Sequence, residues 1–359
     1  MSIFSKLFNK PSKKEFFESI KNLDIAKVKN AIESGQNVNA MIKVKEDENE
    51  KDTALMVLVE EIWNKDEKLK QKYWELIQFL IDNGANPDLM CSYPGTPLHC
   101  AVSNKDYETT KLLLDNDADV NIRNKYKSTP LHETQFHKDN KITLLLLQHG
   151  AEIDAINEKG ETPLLNAVSM KSYEIAKVLV EHGANIELSD NDNRNPIELA
   201  TTWDNLDFMK YLVENGSNID KLDFLKLLKT SALFASLNSF KYFMSKITDY
   251  SEFNGWYFGG KRFRILHVAV GCIQILERIQ RGYRFELASE KRLDMVKTLI
   301  DSGVATDVKD KDNLLPIDYV QLLLNNLENW ETLPSFNDSE TIETTKYYYT
   351  QIKDLLQKA

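Results

Sequence analysis

The residues of this chain that could perform acid–base or metal chemistry are first of all its histidines, because imidazole titrates near neutral pH and binds transition metals. The sequence contains six of them: His99, His132, His137, His149, His182 and His267. Two close the same run, Thr96-Pro-Leu-His and Thr129-Pro-Leu-His, but later copies of that run carry Leu165 and Glu198 at the histidine position. Since leucine can neither titrate nor bind a metal, we expect no catalysis and no metal ligation at this position.

Cysteine, carboxylate and glycine patterns give no stronger site. Cys91, Cys100 and Cys272 make an odd count whose spacing fits neither a disulfide framework nor a zinc knuckle. The run Asp190-Asn-Asp-Asn193 lacks the glycine and the glutamate that a calcium loop needs, and no Walker lysine follows Gly259-Gly260. The sequence therefore predicts no enzyme, no metal and no cofactor, and its free thiols favour a reducing, cytoplasmic location.

Composition limits the kinds of partner. The 359 residues carry a formal net charge of -10, with 42% hydrophobic and 28% charged residues, so the chain can bury a core. The negative charge argues against a general binder of nucleic acid or of anionic membranes. No apolar run is long enough to span a bilayer, and the apolar residues within positions 3–8 are too few for a secretory signal. Lysine outnumbers arginine 37 to 8, which favours a bacterial source.

The elements that must position these residues form an internal repeat. The prolines Pro97, Pro130, Pro163 and Pro196 are each 33 residues apart. A second landmark, typified by His149-Gly-Ala and His182-Gly-Ala, keeps the same spacing from residue 83 to residue 215. The residue before each of the first three prolines is threonine, which can cap a helix that begins at the proline. Leucine-rich runs then predict a second helix, which the glycine can end in a left-handed conformation.

These landmarks resemble the ankyrin repeat family, whose unit is a β-turn or hairpin finger followed by two antiparallel helices. The resemblance covers residues 14–327 and implies an all-α repeat solenoid, a stack of about eight to nine units. Residues 1–13 are then an N-terminal tail, and residues 328–359 a C-terminal loop and capping helix. The resemblance also implies a structural, hydrogen-bonding role for His99, His132 and His267, and the register places His149 and His182 at helix C-termini.

Several units depart from the period. Residues 16–38 read as an N-terminal capping repeat, and the next unit holds ten extra residues around positions 60–72. Residues 223–250 read as a degenerate unit that has lost its proline. The unit that begins at Arg264-Ile-Leu-His spans 36 residues from His267 to Gly303, where regular units span 18. Ile275, Leu276 and Ile279 continue a helical pattern, so we expect an inserted, extended helix within residues 273–290.

Residues that the repeat does not use should form the binding surface. A stack of this kind exposes its finger tips and the ends of its first helices along one concave strip. The register leaves His137 and Glu161 among the exposed positions. Large apolar side chains at such positions favour a protein interface. Five occur: Tyr93, Tyr126, Phe136, Met170 and Trp203.

A basic and aromatic region lies nearer the C-terminus. Six of the eight arginines fall between residues 262 and 292. Arginine suits bidentate capture of carboxylates or phosphates, and neighbouring aromatic residues make strong anchors. The candidates for partner binding are Trp256, Tyr257, Phe258, Lys261, Arg262, Arg264, Arg278, Arg281 and Arg284.

We interpret the chain as a non-enzymatic scaffold that holds one specific protein through the concave strip and the basic-aromatic insertion. By analogy, the favoured role is a bacterial immunity or inhibitor protein that occludes a toxin or an enzyme. A secreted effector or adaptor that engages host proteins is a second interpretation. A third is nucleic-acid or nucleotide binding through residues 262–292, against which the net charge argues, and no membrane partner is expected.

Overall fold

The architecture is described from a computed structural model. It describes residues 11–43, 51–91, 95–217, 224–246, 257–258, 261–262, 265–271, 289–307, 309, 313–328 and 339–359. Within those ranges the chain forms seventeen α-helices, one 3₁₀ helix and two short antiparallel hairpins. The expected all-α repeat fold is therefore confirmed in its helical character. No described helix combines the length and the apolar character needed to cross a membrane.

The chain divides into two compact units, Met1–Pro196 and Ile197–Ala359. The predicted boundaries at residues 14 and 327 stay predictions. The first unit contains hairpin β1 (Ile42–Lys43) and β2 (Lys51–Asp52), and a 3₁₀ helix at Pro130–Phe136. Its α-helices are α1 (Lys13–Lys21), α2 (Ile25–Glu33), α3 (Ala54–Ile62), α4 (Glu67–Asp82), α5 (Pro97–Ser103), α6 (Tyr107–Asp115), α7 (Lys141–Gln148), α8 (Pro163–Ser169) and α9 (Tyr173–Glu181).

Helix α10 (Pro196–Thr202) begins at the last residue of the first unit. The second unit continues with hairpin β3 (Tyr257–Phe258) and β4 (Lys261–Arg262). Its further helices are α11 (Leu206–Glu214), α12 (Phe224–Leu233), α13 (Leu237–Lys246), α14 (Ile265–Val270), α15 (Ser289–Asp301), α16 (Pro316–Glu328) and α17 (Ser339–Lys358). Helices α12 and α13 lie within residues 223–250, and Ala232 and Phe240 are fully buried. That these residues form a degenerate unit stays a prediction.

The first helix of each regular repeat begins at the predicted proline. In α8 the Thr162 hydroxyl accepts a hydrogen bond from the Leu165 N–H at 3.2 Å, which caps the helix start. One prediction is modified, because the segment after Thr129 is a 3₁₀ helix and not an α-helix. The first helices end with a residue of positive φ, as at Lys105 and Lys171, both at 61°.

The second helices bury the leucine-rich face that the pattern predicts. Leu113, Leu146 and Leu179 are completely buried. Glycine ends two of these helices in the left-handed region, with φ of 85° at Gly150 and 90° at Gly183. Asp117 takes the same conformation at 61° in the one repeat that lacks the glycine.

The ten extra residues of the early repeat lie mainly in its helices. Helix α3 has nine residues and α4 has sixteen, against seven in α5 and nine in α6. Most of the gain falls on α4, which buries Tyr73, Leu76 and Leu80 on one face.

Helix α14 ends at Val270, and Gly271 takes a φ of 66°. The inserted helix expected within residues 273–290, with Ile275, Leu276 and Ile279, lies outside the described residues and stays a prediction. Helix α17 lies within residues 328–359, where the C-terminal loop and capping helix are expected, and it packs against α15 and α16. Its capping role stays a prediction. Its buried Tyr349 donates a hydrogen bond to the Val270 carbonyl at 3.0 Å.

Candidate functional site

The fingers of the first unit are shaped by three side chains that share the repeat period. Asn124 Oδ1 accepts hydrogen bonds from the backbone N–H groups of Tyr126 at 2.9 Å and Ser128 at 3.1 Å. Asn157 and Asp190, each 33 residues further on, bind the same two positions of their own fingers. This role was not predicted from the sequence, although the 33-residue spacing of the three residues could have shown it.

Neighbouring fingers are joined through their backbones. The Glu158 N–H donates to the Tyr126 carbonyl at 2.9 Å, and the Asn191 N–H donates to the Lys159 carbonyl at 3.0 Å. Because the tip backbones are engaged in this way, the tip side chains are left to face outward. Tyr126 does so beside Lys125, whose ammonium lies 5.0 Å from the ring centroid.

Two histidines link each first helix to the following finger. The Thr96 and Thr129 N–H groups donate to Nδ1 of His99 and His132, at 3.4 and 3.1 Å. Nδ1 is therefore the acceptor, and Nε2–H donates onward to the Ser128 carbonyl at 3.0 Å and the Glu161 carbonyl at 3.1 Å. Burial lowers the pKa of His99 and of His132 to about 4. The expected structural role is confirmed for both residues.

The remaining histidine of this motif is placed alike in the second unit. His267 is buried, and its Nε2 lies 3.1 Å from the Leu314 carbonyl oxygen. At the helix C-termini, His149 and His182 are the capping residues of α7 and α9, as the register predicts.

Two residues expected at the exposed positions are buried. His137 Nε2 donates to the Val102 carbonyl of the preceding repeat at 2.7 Å, and burial lowers its pKa. Glu161 accepts a hydrogen bond from Asn157 Nδ2 at 3.1 Å inside its own finger. Both expectations were wrong because the register does not reveal that the polar side chain has a partner within the stack.

The two cysteines that the structure describes are poor nucleophiles. Burial raises the pKa of Cys91 and, more strongly, of Cys100, so both are thiols at neutral pH. Cys272 lies outside the described residues. Among the residues that the structure places, no group of three or more histidine, cysteine or acidic side chains is arranged to hold a metal ion.

Four of the predicted apolar contact residues are exposed as expected. The exposed fraction is 40% for Tyr126, 52% for Phe136, 51% for Met170 and 43% for Trp203. Phe136 and Met170 lie on adjacent repeats. A hydrogen bond from the Ser172 hydroxyl to the Gln135 carbonyl joins these two repeats close to both side chains. Trp203 belongs to the second unit and is described there alone. Whether these residues bind a partner stays a prediction.

Three exposed aromatic side chains were not among the predicted contact residues: Tyr347 in α17, Trp63 and Phe234. Trp63 follows α3 in the first unit and Phe234 follows α12 in the second, and each is more than half exposed. Phe234 precedes a residue of positive φ, Ala235, just as Trp203 precedes Asp204. Trp63 and Phe234 both lie at the end of a first helix, as Met170 does. Their repeats are irregular in length or degenerate, so the 33-residue register did not identify these two positions.

The basic and aromatic region is described only in part. Tyr257 pairs with Arg262, and Phe258 with Lys261, in an antiparallel hairpin, which agrees with a finger at this place. The predicted contact residues that lie outside the described residues are Tyr93, Trp256, Arg264, Arg278, Arg281 and Arg284.

Arg292 is a structural residue, although its sequence position placed it in the arginine-rich region. It is buried, and its guanidinium donates to the carbonyls of Ala232, Leu233 and Ala269 at 3.2 to 3.3 Å. A side chain at Gly271 would place its Cβ 2.1 Å from the guanidinium carbon. The contact surface suggested for residues 262–292 therefore cannot include Arg292.

Comparison with known proteins agrees with this geometry. The family model described as ankyrin repeats (3 copies) matches residues 68–157 and again residues 134–223. No curated protein matches the chain. Ankyrin repeats generally mediate contacts between proteins and are generally not enzymes. The matched residues also show the paired helices, the left-handed stops and the histidine links on a 33-residue period, so residues 68–223 are ankyrin repeats.

Proposed function

We propose that this protein is a binding scaffold that holds a protein partner against an apolar strip of the first unit, formed by Tyr126, Phe136 and Met170. The observation that carries the proposal is the exposure of these three large side chains, at 40%, 52% and 51%. Large apolar side chains of this kind supply most of the energy of protein interfaces.

The frame around the strip supports the proposal. The fingers are held by Asn124, Asn157 and Asp190, and the repeats are joined through His99 and His132. A scaffold whose polar groups are already engaged loses little conformational freedom on binding, so more of the contact energy appears as affinity.

The test is capture of a partner on the immobilised full chain, with identification by mass spectrometry. The variant Tyr126→Ser/Phe136→Ser/Met170→Ser removes the apolar strip, and we expect recovery of the partner to fall by more than about tenfold. The matched control, Met90→Ser/Ile156→Ser, removes two exposed apolar side chains outside the strip and should leave recovery unchanged. Full recovery on the strip variant contradicts the proposal.

The partner class and the second contact region are finer parts of the proposal. The sequence favours a toxin or an enzyme as the partner, so addition of the chain should inhibit the captured protein in its own assay. The basic region is tested by Arg278→Ala/Arg281→Ala/Arg284→Ala, which we expect to weaken capture without lowering the melting temperature. A captured protein that keeps full activity in the complex rules out an inhibitor role.

A further inference from the structure

The first unit carries opposite charges at different edges. The turns that follow its second helices are acidic and exposed at Asp117, Asp119 and Glu152. The fingers and the ends of the first helices instead carry exposed lysines, which we call the lysine rim: Lys105, Lys125, Lys127, Lys138, Lys159 and Lys171. In a chain of net charge -10, this separation gives the apolar strip a local positive field.

The rim follows the repeat and encloses the apolar strip. Lys105, Lys138 and Lys171 recur at intervals of 33 residues, each just after a first helix. Lys127 stands in a finger, just before the next first helix. A first helix of seven residues is about 10 Å long. Lysines therefore lie at both ends of the surface that presents the apolar side chains.

Four of the six rim lysines are available to a partner. In the part of the chain that the structure describes, Lys105, Lys127, Lys138 and Lys159 form no ion pair with a carboxylate. Some second-helix lysines, by contrast, bind acids of their own helix, as Lys111 binds Asp115 and Lys177 binds Glu174.

Few carboxylates oppose the rim on its own surface. Its exposed acids are Asp139, Glu158 and Asp192, and Asp192 binds Arg194. Glu108 and Glu174 are also exposed, but they stand in the first turns of second helices, and Glu174 binds Lys177. Glu133 lies beneath it, buried and in contact with the Ser103 hydroxyl at 3.5 Å, and burial raises its pKa. Asp106 caps α6 by accepting from the Thr109 N–H and hydroxyl at 3.1 and 2.7 Å. The local field at the apolar strip therefore stays positive.

Three rim lysines occupy backbone positions that favour glycine. The φ angle is 61° at Lys105 and at Lys171 and 58° at Lys127, and Gly160 takes the position of Lys127 in the next finger. A lysine in this conformation is less stable than a glycine. The backbone conformation therefore does not require a lysine at Lys105 or Lys127.

We infer that the partner docks an acidic protein surface on the lysine rim, with its own apolar side chains against Tyr126, Phe136 and Met170. This inference rests on the proposed function and adds the charge of the partner. A protein fits better than a nucleic acid, because the net charge of -10 repels an extended polyanion, whereas a compact acidic patch meets only the local field.

The probe is a phage-displayed library of random peptides, panned on the immobilised full chain. The rim variant is Lys105→Glu/Lys127→Glu/Lys138→Glu. The control, Lys14→Glu/Lys68→Glu/Lys141→Glu, changes three exposed lysines elsewhere and alters the net charge equally. We expect the wild type and the control to enrich peptides that combine aspartate or glutamate with large apolar residues, and the rim variant to bind them more than about tenfold more weakly.

A second variant, Lys105→Gly/Lys127→Gly, guards against misfolding. Because glycine suits both backbone positions, its melting temperature should equal or exceed that of the wild type while the acidic peptides bind less tightly. Fluorescence anisotropy with single- and double-stranded oligonucleotides on the same proteins tests the alternative ligand, and tight binding that the rim variant loses overturns the inference.

The outcomes of these experiments distinguish a failure of the inference from a failure of the proposed function. If the enriched peptides are neutral or basic and Phe136→Ser abolishes their binding, the inference of an acidic partner is overturned. The proposed function as a binding scaffold then stands. If no peptide is enriched on the wild type, or if the enriched peptides ignore Phe136→Ser, the proposed function fails and the inference fails with it.

Discussion

At the scale of single residues, the histidines show how a reactive side chain can be used entirely for structure. His99 and His132 accept a hydrogen bond from a threonine N–H through Nδ1 and donate through Nε2 to the next finger. Both ring nitrogens are engaged, and burial holds the pKa of each ring at about 4. Neither imidazole is available as a base or a ligand near neutral pH.

Acid should therefore destabilise the first unit. An unfolded histidine takes up a proton near pH 6.5, whereas the folded rings stay neutral down to a pKa of about 4. Between these values the unfolded state binds more protons, so the free energy of unfolding falls as the pH falls. We expect a loss of about 2 kcal/mol per histidine between pH 7 and pH 5, measured by urea denaturation.

His132→Leu isolates this effect, because Leu165 occupies the equivalent position of the next repeat. The variant should lose about 2 kcal/mol less than the wild type over the same pH range. Leu131→Ala, a neighbouring buried change without a titratable group, should keep the wild-type pH dependence. If the free energy of unfolding depends on pH equally in His132→Leu and the wild type, the His132 ring does not cause the loss of stability in acid.

Arg292 is a second residue that sequence position alone misassigns. Its guanidinium binds two carbonyls at the end of α12 and one near the end of α14, where the helix dipoles are negative. Gly271 has a φ of 66°, and a Cβ at this residue would lie 2.1 Å from the guanidinium carbon. The packing therefore leaves no room for a side chain at residue 271.

Gly271→Ala should consequently destabilise the second unit. The substitution strains the backbone and displaces the Arg292 guanidinium, so we expect a cost of about 2 kcal/mol or more. Thermal unfolding followed by circular dichroism measures it. Lys291→Ala, at a half-exposed neighbour, is the control and should change stability by less than about 0.5 kcal/mol. If Gly271→Ala unfolds at the same temperature as the wild type, the close packing of Gly271 against Arg292 does not contribute to stability as proposed.

At the scale of elements, the sequence predicts the helix starts and stops better than the fingers. Proline at the first helical position and glycine after the last are local signals, so Pro163 and Gly183 act in the structure as expected. The 3₁₀ form of Pro130–Phe136 and the end of α14 at Val270 depend on neighbouring packing and on one glycine conformation, which no periodic pattern contains.

The fingers are predicted to depend on their asparagine or aspartate. Asn124→Ala removes two hydrogen bonds, to the Tyr126 and Ser128 N–H groups, and should cost about 1 to 3 kcal/mol. Asn124→Asp keeps both acceptor contacts, as Asp190 does in its own finger, and should be closer to the wild type. Chemical denaturation measures the free energy of unfolding of each variant. Equal losses of stability in Asn124→Ala and Asn124→Asp would contradict this role of Asn124.

At the scale of the whole molecule, the 33-residue period explains why part of the chain could be predicted and part could not. Where the period holds, each residue inherits its environment from its equivalents, and the exposure of Tyr126 and Met170 follows. Where the period fails, as around Trp63 and Phe234, equivalents are missing and exposed aromatic residues go unrecognised. Polar residues such as His137 mislead for another reason, since their partners belong to the adjacent repeat.

Coupling between adjacent repeats also determines how stability is distributed along the first unit. In a repeat protein each unit is stabilised chiefly by its immediate neighbours. Within the described residues, the pair α1 and α2 packs on the next repeat through the contact of α1 with α3, whereas α5 contacts both α3 and the 3₁₀ helix. Amide hydrogen exchange should therefore be faster in α1 and α2 than in α5 and α6.

Leu164→Ala tests this coupling directly. Leu164 is completely buried in α8, and its truncation should cost about 2 to 4 kcal/mol. Because α8 packs against α9 and the 3₁₀ helix, hydrogen exchange monitored by mass spectrometry should accelerate most in those elements and least in α1 and α2. Equal acceleration throughout Met1–Pro196 would mean that the unit opens as a single cooperative block, and nearest-neighbour coupling would then not describe it.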